Sequence, residues 1–228
     1  MTKTPADNPS KSASAKRKAA YSLAAGAATL AASGDQTANA DIVYSGLQGI
    51  SILPSIDPPF PDPYRLYLDL DSDSFTDVAL QNAFFGGTPY QGASVFGSGG
   101  QLVGFNAGPS NYAYVSQLTE GDLIDPTTVG PTFFGSMAFS TLNPNAEFNS
   151  APDAFLGLSF GTAPNLRYGW IRVGVENASA SFVIKDWAYE SDPGVGIRAG
   201  QIPEPGTLGL LAAGAAGLAA IRSRRSQS

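Results

Sequence analysis

Residues 167–190 read RYGWIRVGVENASASFVIKDWAYE, and they carry the clearest fold signal in the chain. Residues 167–175 alternate as an extended strand does, because successive side chains of a strand point to opposite faces. One face would carry Ile171, Val173 and Val175, and the other Tyr168, Trp170 and Arg172. A second apolar run follows at 181–189, and the small polar residues between the two runs are typical of a turn. The stretch therefore predicts a β-hairpin.

The same kind of pattern extends over residues 41–202. Short runs rich in Val, Ile, Phe, Tyr and Thr alternate with turn-forming residues, and no run keeps a helical period. Further strands are predicted at 42–44, 64–70, 78–82, 101–105, 113–116, 136–140 and 155–160. The glycine-rich residues 92–100 are predicted to be a loop. About nine short strands predict an all-β, antiparallel, jelly-roll-like β-sandwich, with one sheet closed on itself as the alternative.

The composition excludes several functions. The 228-residue chain contains no His and no Cys, so catalytic systems and zinc sites that need imidazole or thiolate are excluded. Residues 41–202 contain sixteen of the 19 Asp and Glu residues but only five of the 13 Lys and Arg residues. Because such an acidic body repels phosphate backbones, we expect no nucleic-acid partner.

The first forty residues have the order of a secretion signal. A basic cluster at 16–18 precedes an Ala-rich apolar run at 19–32, and the small residues Ala38 and Ala40 follow. A basic, then apolar, then small-residue order is typical of a signal peptide. The sequence therefore predicts a signal peptide at 1–40, cleaved after Ala40, and an exported domain at 41–202.

The last 26 residues carry the most specific motif. A Pro-Glu-Pro triplet is followed by an apolar run at 208–221 and by an arginine-rich end. This order resembles the PEP-CTERM sorting signal of Gram-negative bacteria, and its motif residues here are Pro203, Glu204, Pro205, Arg222, Arg224 and Arg225. The resemblance implies recognition and processing by a membrane-embedded exosortase. It also implies delivery to the cell envelope or surface, in a family linked to extracellular polysaccharide and the biofilm matrix.

The segment 203–228 is also predicted to contact the membrane. Fourteen apolar residues form a helix of about 21 Å, which is shorter than the ~30 Å hydrocarbon core of a bilayer. We therefore expect a short hydrophobic helix that anchors the protein at least transiently. Its arginines would stay cytoplasmic and the acidic domain would lie outside. An ordinary anchor that is never processed is the alternative.

An acidic segment at 69–77, DLDSDSFTD, is the main candidate for metal chemistry. Its carboxylates at relative positions 1, 3, 5 and 9 resemble the calcium loops of the DxDxDG type. Without a cation, four carboxylates this close in sequence would repel one another and raise some of their pKa values. The candidate ligands of a structural Ca²⁺ are Asp69, Asp71, Asp73 and Asp77, with the backbone carbonyl of Phe75.

Two features of this segment depart from the calcium-loop pattern. Ser74 stands where a glycine usually permits the sharp turn, and Leu80 stands where a bidentate Glu is usual. A remote carboxylate, such as Asp153 or Asp186, would have to complete the coordination shell. A solvated acidic turn is the alternative.

Four aromatic residues of the predicted hairpin are candidate glycan contacts, because flat rings suit the faces of sugars. They are Tyr168, Trp170, Trp187 and Tyr189. Aromatic side chains in strands more often fill cores or form cross-strand pairs, and a core role is the favoured alternative.

Without His and Cys, a feasible enzyme would use a pair of carboxylates on glycosidic bonds. The glutamates of residues 41–202 are Glu120, Glu147, Glu176 and Glu190, and their spacing does not tell whether any two meet. We therefore expect no enzyme. The expected function is that of an exported surface- or matrix-associated structural or binding protein, stabilised by calcium and associated with polysaccharide. A small carboxylate-based glycan-active enzyme is the alternative.

Overall fold

The computed structural model describes residues 41–55 and 65–203, which form fourteen strands and two 3-10 turns. In chain order the strands are β1 (Ile42–Tyr44), β2 (Ile50–Ser51), β3 (Arg65–Leu68), β4 (Val78–Phe85), β5 (Thr88–Val95), β6 (Gln101–Leu102), β7 (Gly104–Ala107), β8 (Tyr112–Val115), β9 (Leu123–Ile124), β10 (Phe134–Ala138), β11 (Ser150–Phe160), β12 (Arg167–Glu176), β13 (Ser181–Glu190) and β14 (Ile197–Arg198). The turns are Ser140–Leu142 and Asn177–Ser179. The predicted all-β class is confirmed.

The strands form two large sheets and one small ribbon. The first sheet has the order β1-β13-β12-β11-β6, and β2 also pairs with β13. The second sheet has the order β3-β4-β5-β10-β8-β7, while β9 pairs only with β14 among the described residues. Side chains from both sheets, among them Leu156 and Phe182 of the first and Leu80 and Met137 of the second, form the main core. The two sheets therefore pack face to face, as in a β-sandwich.

The predicted hairpin is confirmed as β12 and β13, which pair in antiparallel register. Ile171, Val173 and Val175 of β12 lie in the main core, as the alternation predicts. Tyr168 and Trp170, on the opposite face of the same strand, are also buried, in a second apolar cluster. The other members of this second cluster include Ile124, Ala188, Ile197 and Ala199. Both faces of β12 are therefore covered by protein.

A β-bulge at Lys185 changes which side chains of β13 face the core. Arg172 pairs with Asp186 whereas Val173 pairs with Ile184, so Lys185 has no partner of its own in the ladder. Before the bulge Ile184 faces the main core, and strict alternation would place Asp186 there as well. The extra residue reverses the phase, because a bulge inserts one residue into one strand of a pair. Asp186 therefore lies on the face opposite the main core.

The strand β5 was not predicted, and its second half occupies residues 92–95 of the segment 92–100 that was expected to be a loop. Gly86 and Gly87 both have positive φ, at 59° and 81°, and Phe85 pairs with Thr88 across them. Two residues with positive φ are what a two-residue hairpin turn of type I′ requires, and glycine adopts them without steric cost. The Gly-Gly dipeptide was therefore the signal that could have revealed the β4–β5 hairpin.

The topology differs from the predicted antiparallel jelly roll in two respects. Strands β11-β12-β13 and β3-β4-β5 are consecutive neighbours, so they form meanders instead of the Greek keys of a jelly roll. In addition, β10 pairs with β8 in parallel. A parallel pair needs a long connection, and here residues 116–133 provide it. Short turns favour antiparallel pairing of consecutive strands. This long connection instead returns the chain to the end of the sheet at which β8 begins, so β10 runs in the same direction as β8.

A buried polar network links the two sheets. Gln91 of β5 donates to Asn82 Oδ1 of β4 at 2.8 Å, and it accepts from Asn177 Nδ2 of the hairpin turn at 2.7 Å. Asn82 Nδ2 donates in turn to the carbonyl oxygens of Ile52 and Ala180, at 2.7 and 2.9 Å. All three amide side chains are at least 98% buried. Since unpaired buried amides are costly, this network fixes how the hairpin turn meets the second sheet.

We predict that Gln91→Leu lowers the free energy of unfolding by about 2–4 kcal/mol, because the substitution leaves Asn82 Oδ1 without its donor and removes one of the two acceptors of Asn177 Nδ2. Urea unfolding measures the effect. Gln117, whose side chain is exposed, is the matched control, and Gln117→Leu should change stability by less than about 0.5 kcal/mol. Equal effects of the two substitutions would contradict a structural role for the network.

Candidate metal centre

The loop between β3 and β4, residues 69–77, is folded by its own side chains. The Asp69 carboxylate accepts hydrogen bonds from the backbone N–H of Asp73 at 3.1 Å and of Ser74 at 2.8 Å. Ser72 and Ser74 have positive φ, at 62° and 75°. A left-handed backbone costs a residue other than glycine about 1–2 kcal/mol. Ser74 thus makes the sharp turn for which calcium loops usually have glycine.

Three carboxylates of the loop converge. Asp69, Asp71 and Asp77 each place one carboxylate oxygen within 4.8 Å of the others. Asp77 is 5% exposed, and it accepts a hydrogen bond from the backbone N–H of Leu70 at 2.7 Å. The Asp71 side chain is 9% exposed, and its Oδ2 accepts from Arg167 Nη1 at 2.7 Å. Asp71 Oδ1 is buried and receives no hydrogen bond from the described part of the chain.

The electrostatics of the cluster reflect burial and like charge. Burial is the main reason that the pKa of Asp77 rises to about 6, and the N–H of Leu70 only partly opposes it. The negative charges of Asp71 and the other loop carboxylates raise it further. Burial and the charge of Asp73 also raise the pKa of Asp71, although Arg167 acts to lower it. The cluster therefore holds more negative charge than Arg167 compensates.

The predicted ligands divide into two groups. Asp69, Asp71 and Asp77 come together, and they can offer oxygen ligands to one cation. Asp73 is not part of this cluster, and its carboxylate accepts a hydrogen bond from the backbone N–H of Phe75 at 2.8 Å. The side chain of Phe75 is 75% exposed. The described structure thus brings three of the four predicted carboxylates together.

The two remote carboxylates expected to complete the shell are engaged elsewhere. Asp153 pairs with Lys185 at 3.0 Å. Asp186 accepts from Arg172 Nε and from the hydroxyl of Tyr44, both at 2.9 Å. Asp186 is 1% exposed, and the bulge in β13 turns it toward Arg172. The expectation that either residue completes the acidic loop was therefore wrong.

Arg167 is the residue of the centre that sequence reasoning missed. It is the first residue of β12 and lies 96 positions from Asp71 in the chain. Its Nε also donates to the carbonyl oxygen of Ser191 at 3.1 Å, which orients the guanidinium group. The local sequence contains no signal for this contact, because the pairing depends on how the two sheets face each other.

The four aromatic residues predicted to contact glycans do not form an exposed platform. Tyr168 is 4% exposed, Trp170 is 2% exposed and Tyr189 is 7% exposed. The Trp170 ring packs edge-on against Phe155 with a centroid distance of 5.3 Å. Trp187 is half-buried against the main core. Tyr168, Trp170 and Tyr189 fill apolar clusters because both faces of the first sheet are covered, so the stacking prediction was wrong for these three rings and the favoured core role describes them.

Exposed aromatic rings lie instead beside the acidic loop. Phe75 and Phe96, together with Asp73 and Asp77, line a pocket of about 450 Å³. Phe96 and Phe133 line a second pocket of about 450 Å³, which adjoins the first at Phe96. We call these two pockets the aromatic groove. Phe75, Phe96 and Phe133 are 75%, 39% and 59% exposed, and exposed apolar patches often mark binding sites.

The four glutamates have separate local roles. Glu147 accepts from the N–H of Gln117 at 2.7 Å, Glu176 from the hydroxyl of Ser150 at 2.8 Å, and Glu190 from the N–H of Asp192 at 3.2 Å. Glu120 lines a small pocket with Trp170 and Arg172. None of them belongs to the carboxylate cluster found in the described residues.

The family model for the PEP-CTERM protein-sorting motif matches residues 201–225. The chain therefore carries a PEP-CTERM sorting signal, as its C-terminal residues predicted. This motif implies an exported, membrane-associated protein that is sorted and processed by exosortase, a membrane enzyme. Comparisons with curated proteins and with solved structures found no match.

Several predictions fall on residues outside those that the structure describes. They are the signal peptide with Ala38 and Ala40, and the short hydrophobic helix with Glu204, Pro205, Arg222, Arg224 and Arg225. Within residues 41–55 and 65–203, no helix has the length and apolar character needed to cross a membrane. The domain boundaries at 40 and 202 remain predictions.

We predict that, in calcium-depleted buffer, the protein loses stability as the pH rises from about 4 to about 6. The folded protein keeps the Asp77 proton after the unfolded chain has released it. The stabilisation is therefore complete below the ordinary pKa of 3.8 and is lost above about 6. A shift of this size corresponds to roughly 2–3 kcal/mol.

Urea unfolding at several pH values tests this prediction. Asp77→Asn should remove the decline, because the amide cannot ionise, whereas Asp192→Asn should retain it, since Asp192 is exposed and outside the cluster. If wild type and Asp77→Asn gave parallel stability curves, the predicted role of Asp77 would be wrong.

Proposed function

We propose that this exported protein displays its β-sandwich-like domain as a structural or binding module of the cell surface or extracellular matrix. In this proposal Ca²⁺ stabilises the acidic loop, and a polysaccharide binds in the aromatic groove. The observation that supports it most directly is the convergence of Asp69, Asp71 and Asp77, since Asp71 also has a buried carboxylate oxygen that receives no hydrogen bond from the described residues.

Calcium fits the chemistry of the three converging carboxylates. Ca²⁺ is a hard cation that takes oxygen ligands in flexible geometry, and Asp69, Asp71 and Asp77 would hold it. When bound, the cation would offset the mutual repulsion of these carboxylates and give Asp71 Oδ1 a partner. Arg167 neutralises part of the charge on Asp71 and keeps its Oδ2 occupied. The role is structural, and millimolar extracellular calcium would suffice for a site of this kind.

A neutral polysaccharide fits the aromatic groove. Sugar rings present apolar faces that pack on aromatic side chains, and their hydroxyl groups can bond to carboxylates and backbone groups such as those of Asp73 and Asp77. The described residues that line the two pockets include no Lys and no Arg. An anionic polymer would therefore lack a counter-charge in the protein, whereas a neutral one would not need it.

We predict that about 10 mM Ca²⁺ raises the melting temperature of the protein by roughly 3–10 °C, since a ligand at about ten to a hundred times its Kd adds about 1.4–2.7 kcal/mol. Asp71→Asn and Asp77→Asn should abolish this shift, and the control Asp192→Asn should retain it. In calcium-depleted buffer at pH 7, Asp77→Asn should instead be more stable than wild type, because it removes a buried charge. A calcium shift that survives both loop substitutions would contradict the proposal.

We predict that a glycan array detects binding of a neutral polysaccharide, and that Phe96→Ala weakens the affinity about tenfold, which corresponds to ~1.4 kcal/mol. Phe96 is chosen because it lies where the two pockets meet. The control is Tyr112→Ala, which removes an even more exposed ring, from β8, that lines neither pocket. No binding to any glycan, or equal losses in both variants, would leave only the structural role.

One observation favours the alternative of a small glycan-active enzyme. Asp77, whose pKa is raised to about 6, lines the same pocket as Asp73, and glycosidases pair a protonated with an ionised carboxyl group. Release of reducing ends from a bound glycan, lost in Asp77→Asn, would support this alternative. A glycan that is bound but never shortened would support the binding module.

A further inference from the structure

A small pocket lies on the outer face of the first sheet, the face opposite the main core. Its volume is about 160 Å³, and Tyr44, Phe155 and Trp170 contribute three aromatic rings to its lining. Pockets for drug-sized ligands have volumes of about 300–1,000 Å³, so this one admits a single small group. It shares no lining residue with the aromatic groove and none with the carboxylate cluster of the acidic loop. The pocket is therefore a candidate site separate from the one in the proposed function.

The three aromatic rings of the pocket pack against one another. Tyr44 and Phe155 both contact Trp170, with centroid distances of 6.2 and 5.3 Å. Trp170 is 2% exposed, whereas Tyr44 and Phe155 are half-buried, so the latter two rings provide the accessible aromatic surface. The face of an aromatic ring carries negative partial charge and attracts a cation that lies within about 6 Å of the ring centroid. The lining therefore favours a cation that also has apolar surface.

The charged side chains leave the pocket with one uncompensated negative charge. The guanidinium group of Arg172 is paired with the carboxylate of Asp186 through Nε, at 2.9 Å, and through Nη2. The remaining carboxylate of the lining belongs to Glu120, which is exposed and forms no ion pair within the described residues. The neighbouring Arg198 instead donates to the carbonyl oxygen of Gly121 at 2.9 Å. Glu120 is therefore available as the counter-charge of a bound cation.

Gly200 allows this carboxylate to lie beside the aromatic rings. A Cβ atom at residue 200 would lie 3.1 Å from Glu120 Cγ and 3.2 Å from Phe155 Cζ, so both side chains approach the same point next to the glycine. A larger residue at this position would push the two apart. The fold thus brings an unpaired carboxylate and an accessible aromatic ring to one small pocket, and this is a combination suited to ammonium groups.

We propose that this pocket binds an organic ammonium group. Tyr44 and Phe155 contact the carbon atoms of the group, and Glu120 supplies its counter-charge. A neutral group would gain nothing from Glu120, and an anion would be repelled by it. At a cell surface, such a group belongs to an amino sugar of a polysaccharide or to the headgroup of a lipid. The binding requires neither calcium nor the aromatic groove.

Isothermal titration calorimetry of the full chain tests this site with two matched pairs of ligands. Choline represents a lipid headgroup, and its neutral isostere is 3,3-dimethyl-1-butanol. Glucosamine, with its amine protonated, represents an amino sugar, and N-acetylglucosamine is its neutral partner. We expect the charged member of at least one pair to bind about tenfold more tightly than the neutral member, and the stronger of the two cations identifies the source of the group. Equal affinities within both pairs, or binding of neither cation, would overturn the proposal.

Two substitutions locate the binding in this pocket. Glu120→Gln should weaken the binding of the cation about threefold, as loss of one exposed ion pair predicts, and should leave the neutral partner unaffected. Glu147→Gln is the matched control, because it changes the net charge equally at an exposed residue outside the pocket. Phe155→Leu keeps an apolar side chain and removes the ring, so it should also weaken the binding of the cation, while the melting temperature reports whether the variant is folded.

The control decides between a local and a general charge effect. Equal losses in Glu120→Gln and Glu147→Gln would assign the effect to the overall charge of the domain and would overturn the site. Cation binding that is unchanged in both Glu120→Gln and Phe155→Leu would place the ligand elsewhere, with the same consequence.

Discussion

Burial of both faces of β12 is the constraint on which the rest of the structure depends. One face packs Ile171, Val173 and Val175 into the core between the sheets, and the other places Trp170 under the β9–β14 ribbon. The strand cannot slide by one residue without exchanging these two sets of side chains. Its position therefore determines where the residues at its two ends and along its outer face make their contacts.

The acidic loop and the residues that precede the sorting motif both contact this strand. At its start, Arg167 meets Asp71 of the acidic loop, and Trp170, its fourth residue, donates a hydrogen bond to the carbonyl oxygen of Gln201. At its end, Asn177 joins the amide network with Gln91. A chain without disulfides thus uses one central strand to connect the candidate metal centre, the exit of the sorting tail and the contact between sheets.

The acidic loop and residues 197–201 differ in how they affect the stability of the domain. The acidic loop concentrates buried negative charge, which opposes folding until a cation or a proton compensates it. The left-handed backbone of Ser72 and Ser74 adds a further cost. Residues 197–201 bury no carboxylate, and they are held by pairing with β9, by the indole of Trp170 and by the burial of Ile197 and Ala199. In the proposed function the acidic loop becomes ordered after export, where calcium is available.

The amino-acid sequence by itself determined the all-β class, the β12–β13 hairpin with its two faces, the clustering of aspartates and the sorting motif. Each of these depends on residues that are close in the chain, where alternation and motif order are direct consequences of strand and loop geometry. Only the tertiary structure decided that Arg167 meets Asp71, that a bulge at Lys185 turns Asp186 away from the core, and that Trp170 is buried beneath the β9–β14 ribbon. These outcomes depend on which strands pair and which sheet faces are covered, and residue spacing along the chain does not encode either.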